Sequence, residues 1–284
     1  MKILLTGSTG QVGYELERSL QGLGQVVAVE RSRMDLADLD QVRAVIRAVR
    51  PDLIVNPAAY TAVDKAESEP GLAFRVNAEA PGLMAEEARR LGAAMVHYST
   101  DYVFRGDNPA PRTEDDATGP LTVYGASKLA GEQAIAAAGI DHLVLRTSWV
   151  YGMRGKNFLL TMLKLARERG ELRIVADQHG APTWSRTIAD ATALVLAGSR
   201  ADAGWWERHS GVYHLSSQGQ TTWFGFTEAI LAGAGIDCRL VPIPSADYPS
   251  PARRPQYSVL SSERLMAQFC RLPHWRDALQ LCLR

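Results

Sequence analysis

The sequence is poor in cysteine, has no long apolar run, and carries no excess of either charge. Each shortage removes a class of function. Only three cysteines occur among 284 residues, Cys238, Cys270 and Cys282. Odd in number and widely spaced, they read as free thiols of a reducing compartment rather than a disulfide framework. No stretch approaches the roughly 18 unbroken apolar residues of a membrane span, and the apolar part of MKILLTGSTG is too short for a signal peptide. Lys and Arg number 31, Asp and Glu 31, without basic or acidic blocks. Nucleic acid and membrane are therefore not expected partners. The six histidines fall in no HxH, HxxxH or Cys/His cluster, so no metal site is expected. With 46% hydrophobic and 22% charged residues, the expectation is an ordinary globular protein of the cytoplasm.

What is present is an alternation of apolar strands and helical patterns. KILLT (2–6), QVVAVE (25–30), DLIVNPA (52–58), AAMVHYS (93–99) and HLVLRTS (142–148) read as strands. Between them run QVGYELERSLQGL, then DLDQVRAVIRAVR with Leu39, Val42, Val45, Ile46 and Val49 at helical spacing, then helices around 71–91 and over 122–138. Strands that are apolar throughout belong to a parallel sheet covered on both faces. With right-handed crossovers this predicts an α/β fold, a Rossmann-type doubly wound sheet.

The second half is less regular. Helices are expected over 157–170, 187–198 and TTWFGFTEAILAGAG, and strands at ELRIVAD and GVYHLSS (211–217). PIPSADYPSPARRP holds five prolines in fourteen residues. Residues 1–149 are expected to form an NAD(P)-binding domain with return segments near 187–234. Residues 150–186 and 235–284 are expected to form a smaller, mixed substrate-binding domain. GSRADAGWWERHSG (198–211) reads as a loop insertion whose Trp205 and Trp206 pack locally or meet a partner.

TGSTGQVG places Gly7, Gly10 and Gly13 between the first strand and the first helix. Glycine there allows a tight turn, close approach of a pyrophosphate, and close packing of helix on strand. The helix N-terminus adds free N–H groups and a positive dipole end. Glu30 ends the second strand, where an acid can bond a ribose hydroxyl and favour NAD. Arg31 and Arg33 follow and could instead pair with the 2′-phosphate of NADP. Asp35 stands where an adenine contact is useful, or simply begins a helix.

VYGASK sets Tyr124 and Lys128 four residues apart, on one face of a helix. Alone this describes any surface helix with an aromatic and a cation. Yet HYSTDYVF puts Ser99 and Thr100 at the carboxyl end of the fourth strand, where open α/β sheets bind ligands. A hydroxyl, a phenol and an ammonium together suit carbonyl reduction. Thr100 can donate a hydrogen bond to the carbonyl oxygen, and Tyr124 can deliver a proton. A nearby lysine is expected to lower the phenol pKa from about 10, and Lys128 can also hold the nicotinamide ribose.

With TGSTGQVG, NPAAYTAVDKAE (56–67), VNAEAP (76–81), STDYVF (99–104), YGASK (124–128), RTSWVYG (146–152), DQHGAPT (177–183) and RRPQYSVLSSERL (253–265), the chain resembles the dTDP-4-dehydrorhamnose reductases. These are extended short-chain dehydrogenases/reductases. The resemblance covers most of the chain. It implies reduction by NADPH or NADH of the C4 ketone of a dTDP-sugar, giving dTDP-L-rhamnose for polysaccharide synthesis. It implies Thr100, Tyr124 and Lys128 as the catalytic set. It places Gly7, Gly10, Gln11, Val12, Gly13, Glu30, Arg31, Asp35, Leu36, Ala58, Ala59, Tyr60, Tyr124 and Lys128 at the cofactor. Thr100, Asp101, Tyr124 and Trp149 fall to the substrate, though Trp149 could be core and Asp101 a turn cap.

Pro57 replaces the family's usual alanine. Some members form dimers bridged by magnesium through glutamates. Glu15 matches one such position, but Arg186 stands near the second, which counts against bound magnesium and leaves a homodimer open. One alternative is another nucleotide-sugar reductase or epimerase of the extended family. Tyr102 after Asp101, in place of a second acid, tilts against dehydration. The other is a non-catalytic NADP-binding regulatory subunit of methionine adenosyltransferase, against which the intact Thr100, Tyr124 and Lys128 count.

Overall fold

Apolar segments at the expected places form strands β1 (Lys2–Leu5), β2 (Gln25–Ala28), β3 (Leu53–Asn56), β4 (Ala94–Thr100), β5 (His142–Thr147) and β6 (Gly211–His214). In the computed structural model they make one six-stranded sheet, in the order β6-β5-β4-β3-β1-β2, with all neighbours parallel. The structure describes every residue except Ala201 and Ala203. This is the doubly wound α/β arrangement that the strand composition predicts.

Successive side chains point to opposite faces. Ile3, Leu5, Val55, Val96 and Leu145 enter one core with helices α1 (Gln11–Ser19) and, from later in the chain, Ser185–Gly198. Leu4, Ile54 and Met95 enter the other with α2 (Leu39–Val49) and α3 (Ala80–Leu91). The α2 start is capped by Asp38, whose carboxylate accepts from the Gln41 amide at 3.0 Å. Asp35 therefore does not cap this helix; it receives the amide of Ala37 in the turn before it.

The chain passes from β1 to β2 on one side of the sheet and then crosses to β3 on the other. Loops leaving the carboxyl ends of β1 and β3 part here, and a cleft opens between them. It lies beside β4, and α4 (Val123–Ala137) packs across that strand.

The segment expected as helix around 71–91 is helical but not uniformly so. Pro70–Phe74 is α, Arg75–Glu79 is a π turn, and α3 follows. Pro81 has no N–H to give, so the regular ladder breaks before it. At this break the carbonyl of Asn77 meets α4, where a Cβ on Gly131 would overlap it.

A second core holds Tyr151, Leu159, Phe226, Ile230, Trp275 and Leu279. It joins α5 (Phe158–Glu168), α7 (Trp223–Ala234) and Trp275–Cys282. Between α5 and α7 in sequence, α6 (Ser185–Gly198) packs on α1. Thus α6 and β6 complete the main sheet layer, whereas α7 lies in the second core. Glu171–Val175 pairs in parallel with Arg239–Ile243. That last strand was hidden by Pro242, which a two-stranded edge tolerates. The expected loop over 198–211 contains a helix, Trp205–His209, with Trp205 buried in the main core; its Ala201 and Ala203 lie outside the described residues. Among the described residues no helix is long and apolar enough to cross a membrane.

A buried ion pair ties α4 to β5. Arg146 donates to both carboxylate oxygens of Glu132, at 3.0 and 2.7 Å, and both side chains are 5% exposed. Removing one partner strands the other charge in the core. Arg146→Met or Glu132→Met alone is expected to lower the unfolding free energy by about 3–5 kcal/mol, and the double substitution to recover most of it. Urea unfolding of the two singles and the double checks this.

Candidate active site

The glycine turn is held by close contacts. Gly7 has φ +56, and a Cβ there would come within 3.0 Å of the Ala58 Cβ. A Cβ on Gly13 would overlap the carbonyl of Gly7. Helix α1 is thereby drawn onto the turn, and the turn onto the segment after β3. Gly10 caps α1 without a side-chain bond. The amides of Gln11, Val12 and Gly13, in the first turn, have no partner four residues back. They face the cleft with the positive end of the helix dipole, a donor set that fits a pyrophosphate. Asn157, the cap of α5, donates from Nδ2 to Gln11 Oε1 at 2.9 Å and so braces this turn from the second half of the chain.

The remaining cofactor candidates follow β2 and β3, the two strands that flank β1 and its glycine turn. Glu30 and Arg31 follow β2 and are exposed; Glu30 accepts from Ser32, and Arg31 pairs with Asp35 at 3.2 Å. Leu36 is buried beside them. Ala58, Ala59 and Tyr60 follow β3. The Tyr60 amide donates to Asn77 Oδ1 at 2.8 Å, and Asn77 Nδ2 donates to Ser127 Oγ at 3.0 Å. Asn77 thus joins the segment after β3 to α4, between Tyr124 and Lys128.

Thr100 ends β4, and Tyr124 opens α4. Thr122 caps that helix, accepting from the Gly125 amide at 3.0 Å. The edge of the Tyr102 ring meets Tyr124, centroids 5.7 Å apart. The Thr100 hydroxyl donates to Asp101 Oδ1 at 3.0 Å, and Ser148, just past β5, donates to Asp101 Oδ2 at 3.1 Å. Lys128 is buried, its amine against His97 Nε2 and the carbonyl of Tyr98.

Burial governs the electrostatics. Desolvation pushes the Asp101 carboxyl up to about 6, against the hydrogen bonds of its hydroxyl neighbours. It pushes the Tyr124 phenol up to about 12; the Thr100 hydroxyl opposes this and the Asp101 charge adds to it. It brings the Lys128 amine down to about 8, with Glu132 pulling the other way. The expected lowering of the phenol by Lys128 is not found: burial raises it, and the amine is directed toward β4.

Trp149 follows Ser148 in the left-handed region, φ 46. Its indole stacks on Trp223 with centroids 3.5 Å apart and planes 4° apart. A Cβ on Gly180 would overlap that indole. The ring is therefore fixed by its neighbours, at a backbone angle unfavourable for tryptophan. The sequence reading did not assign Asn56, Asn77, His97, Asn157 or Trp223. Asn77 lies inside VNAEAP and His97 beside STDYVF, and closeness to those motifs was the available signal.

The profile of the family described as RmlD substrate binding domain matches residues 1–284. A dTDP-4-dehydrorhamnose reductase of Burkholderia thailandensis is 53% identical, covering 100% of this chain and 98% of that protein. The Escherichia coli K12 protein of the same name is 45% identical over 100% and 97%. A crystal structure of the Bacillus anthracis reductase in complex with NADP superposes with a TM-score of 0.90 at 34% identity, covering 99% of this chain and 98% of that one. Identity of this extent over the whole length, with the family profile matching throughout, places the chain in the dTDP-4-dehydrorhamnose reductase family.

Proposed function

We propose that the chain reduces the C4 ketone of dTDP-4-dehydro-L-rhamnose to dTDP-L-rhamnose, with NADPH or NADH, for rhamnose-containing polysaccharides. One observation carries this. A chain similar over its full length to named reductases sets Thr100 and Tyr124 at the carboxyl edge of the sheet, beside the glycine turn, with Lys128 one helical turn on.

The unpartnered amides of Gln11 and Val12 would hold the pyrophosphate, Ala58, Ala59 and Tyr60 the dinucleotide along β3, and Asp35 and Leu36 the adenine. Glu30 is suited to a ribose hydroxyl, Arg31 and Arg33 to a 2′-phosphate. When bound, the nicotinamide supplies the hydride. Tyr124, protonated at neutral pH, gives its proton to the ketone oxygen as negative charge develops there. The single hydroxyl proton of Thr100 turns from Asp101 to that oxygen, and Ser148 keeps hold of the carboxylate. Lys128, one turn on, would stabilise the phenolate left behind through its charge and is the residue that would hold the nicotinamide ribose. Asp101 and Trp149 contact the sugar. A cavity of about 470 Å³ beyond them is lined by Arg105, Gln178, Tyr248, Arg253 and Arg254. We assign it to the thymidine diphosphate, because one buried nitrogen of Arg254 has no partner. The second core then serves the substrate, and the main sheet the cofactor. The three cysteines are free, which supports a cytoplasmic enzyme.

Tyr124→Phe is expected to lower kcat by at least about 100-fold, with NADPH affinity within about twofold. Stopped-flow NADPH oxidation and fluorescence titration read the two; full turnover would refute the assignment. Asp101 also makes stability depend on pH. Its folded pKa, about 6, lies above its ordinary 3.8, so the folded state holds the proton more tightly. Its destabilising effect is absent below about pH 4, grows as pH rises, and is complete above about pH 6, at about 3 kcal/mol. Asp101→Asn should therefore unfold at higher urea than the parent at pH 8 and lose that advantage at pH 4, while its KM for the sugar nucleotide rises.

A further inference from the structure

Lys128 ends a row whose other side chains the reaction above does not use. Its Nζ lies 3.1 Å from Nε2 of His97, and Nδ1 of His97 lies 3.1 Å from Nδ2 of Asn56. Oδ1 of Asn56 accepts from Thr6 Oγ1 at 2.6 Å. Thr6 follows β1, Asn56 ends β3, and His97 is in β4; all three are buried. The row crosses the sheet beneath the cleft, from the glycine turn to the lysine.

Each link passes one proton, so the row has a direction. An ammonium on Lys128 donates to Nε2. His97 then carries its proton on Nδ1 and donates to the amide oxygen, and the amide nitrogen donates to Thr6. A free amine demands the reverse. Thr6 then donates to the amide oxygen, the amide nitrogen to Nδ1, and Nε2–H to the amine. The Asn56 amide is placed in the second order, and a half-turn about its side-chain axis, which exchanges its oxygen and nitrogen, gives the first. Burial and the neighbouring ammonium keep His97 neutral, well below its ordinary pKa, so the two neutral tautomers are the alternatives.

We propose that His97 is a positioning residue for the reduction: with the Asn56 amide turned so that its oxygen receives Nδ1–H, the ring accepts from Lys128 at Nε2 and keeps that amine charged and in place. This rests on the reading of Lys128 given above. Other groups face the amine as well. Helix α4 brings Tyr124 one turn before it and Glu132, held by Arg146 of β5, one turn after. Asp101 acts on Tyr124 from beyond β4. Asn77, from the π turn, reaches Ser127 and is uncharged.

Nitrogen-15 NMR of His97 in the unmodified enzyme at pH 7 tests the tautomer, and pH profiles of kcat/KM for two variants test the role. A glutamine at 97 sets an amide oxygen near the place of Nε2, within reach of Lys128. An asparagine reaches only the place of Nδ1. Protonation at Nδ1 with Nε2 bare is expected. Loss of a charge-assisted bond should move the alkaline limb of His97→Asn down by about one pH unit, with His97→Gln within about 0.3 unit of the parent. A proton on Nε2, an unmoved limb in His97→Asn, or the same displacement in both variants overturns the proposal. Undiminished turnover by Tyr124→Phe removes instead the reading on which it rests, and the NMR result separates the two failures. Should either variant fail to fold, the tautomer in the native enzyme still decides.

Discussion

An amine buried to 1% exposure in a protein interior keeps its charge only where acceptors are fixed to receive it, and Lys128 imposes that demand on everything around it. The carbonyl of Tyr98 and the ring of His97 meet it from β4. For the amine to reach them, α4 must lie very close to the sheet. Its glycines seat it among the neighbouring segments: a Cβ on Gly125 would overlap the carbonyl of Tyr102 in the turn after β4, and one on Gly131 the carbonyl of Asn77 in the π turn. Arg146 and Glu132 then lock the helix to β5 one turn beyond. Tyr124, on the same helix, inherits its position from the burial of Lys128.

The same dryness moves all three ionisable groups of the site toward their uncharged forms: Asp101 and Tyr124 upward, Lys128 downward. A polar site in a low-dielectric setting costs stability, and its dipoles act more strongly on charge that develops there. Asp101 shows both sides. Two hydroxyls orient it, and it holds the one hydroxyl proton that the ketone oxygen would need.

Much of this could be read from the chain. Apolar strands such as DLIVNPA and AAMVHYS indicated a parallel sheet, because a strand buried on both faces has no reason to alternate. The glycine turn and the Tyr124–Lys128 spacing are local patterns, carried by neighbours in sequence, and local patterns survive without coordinates. What escaped was long-range. His97 passed as one more residue of a strand, since its partners Asn56 and Lys128 lie 41 and 31 residues away. The strand Arg239–Ile243 was masked by proline, and the short helix at Trp205 by the polar residues before it. The effect of Lys128 on Tyr124 was misjudged because spacing along a helix says nothing of solvent.

The π turn at Arg75–Glu79 carries one residue more than an α-helical path would need. A surplus residue in a helix turns all that follows by about 100°. Here that rotation aims Leu83, Met84 and Ala88 at the sheet and leaves Arg89 and Arg90 outside. The bulge is therefore a phase setter: deleting a single residue within it would swing the apolar stripe of α3 out toward water, and would withdraw Asn77 from α4 in the same motion.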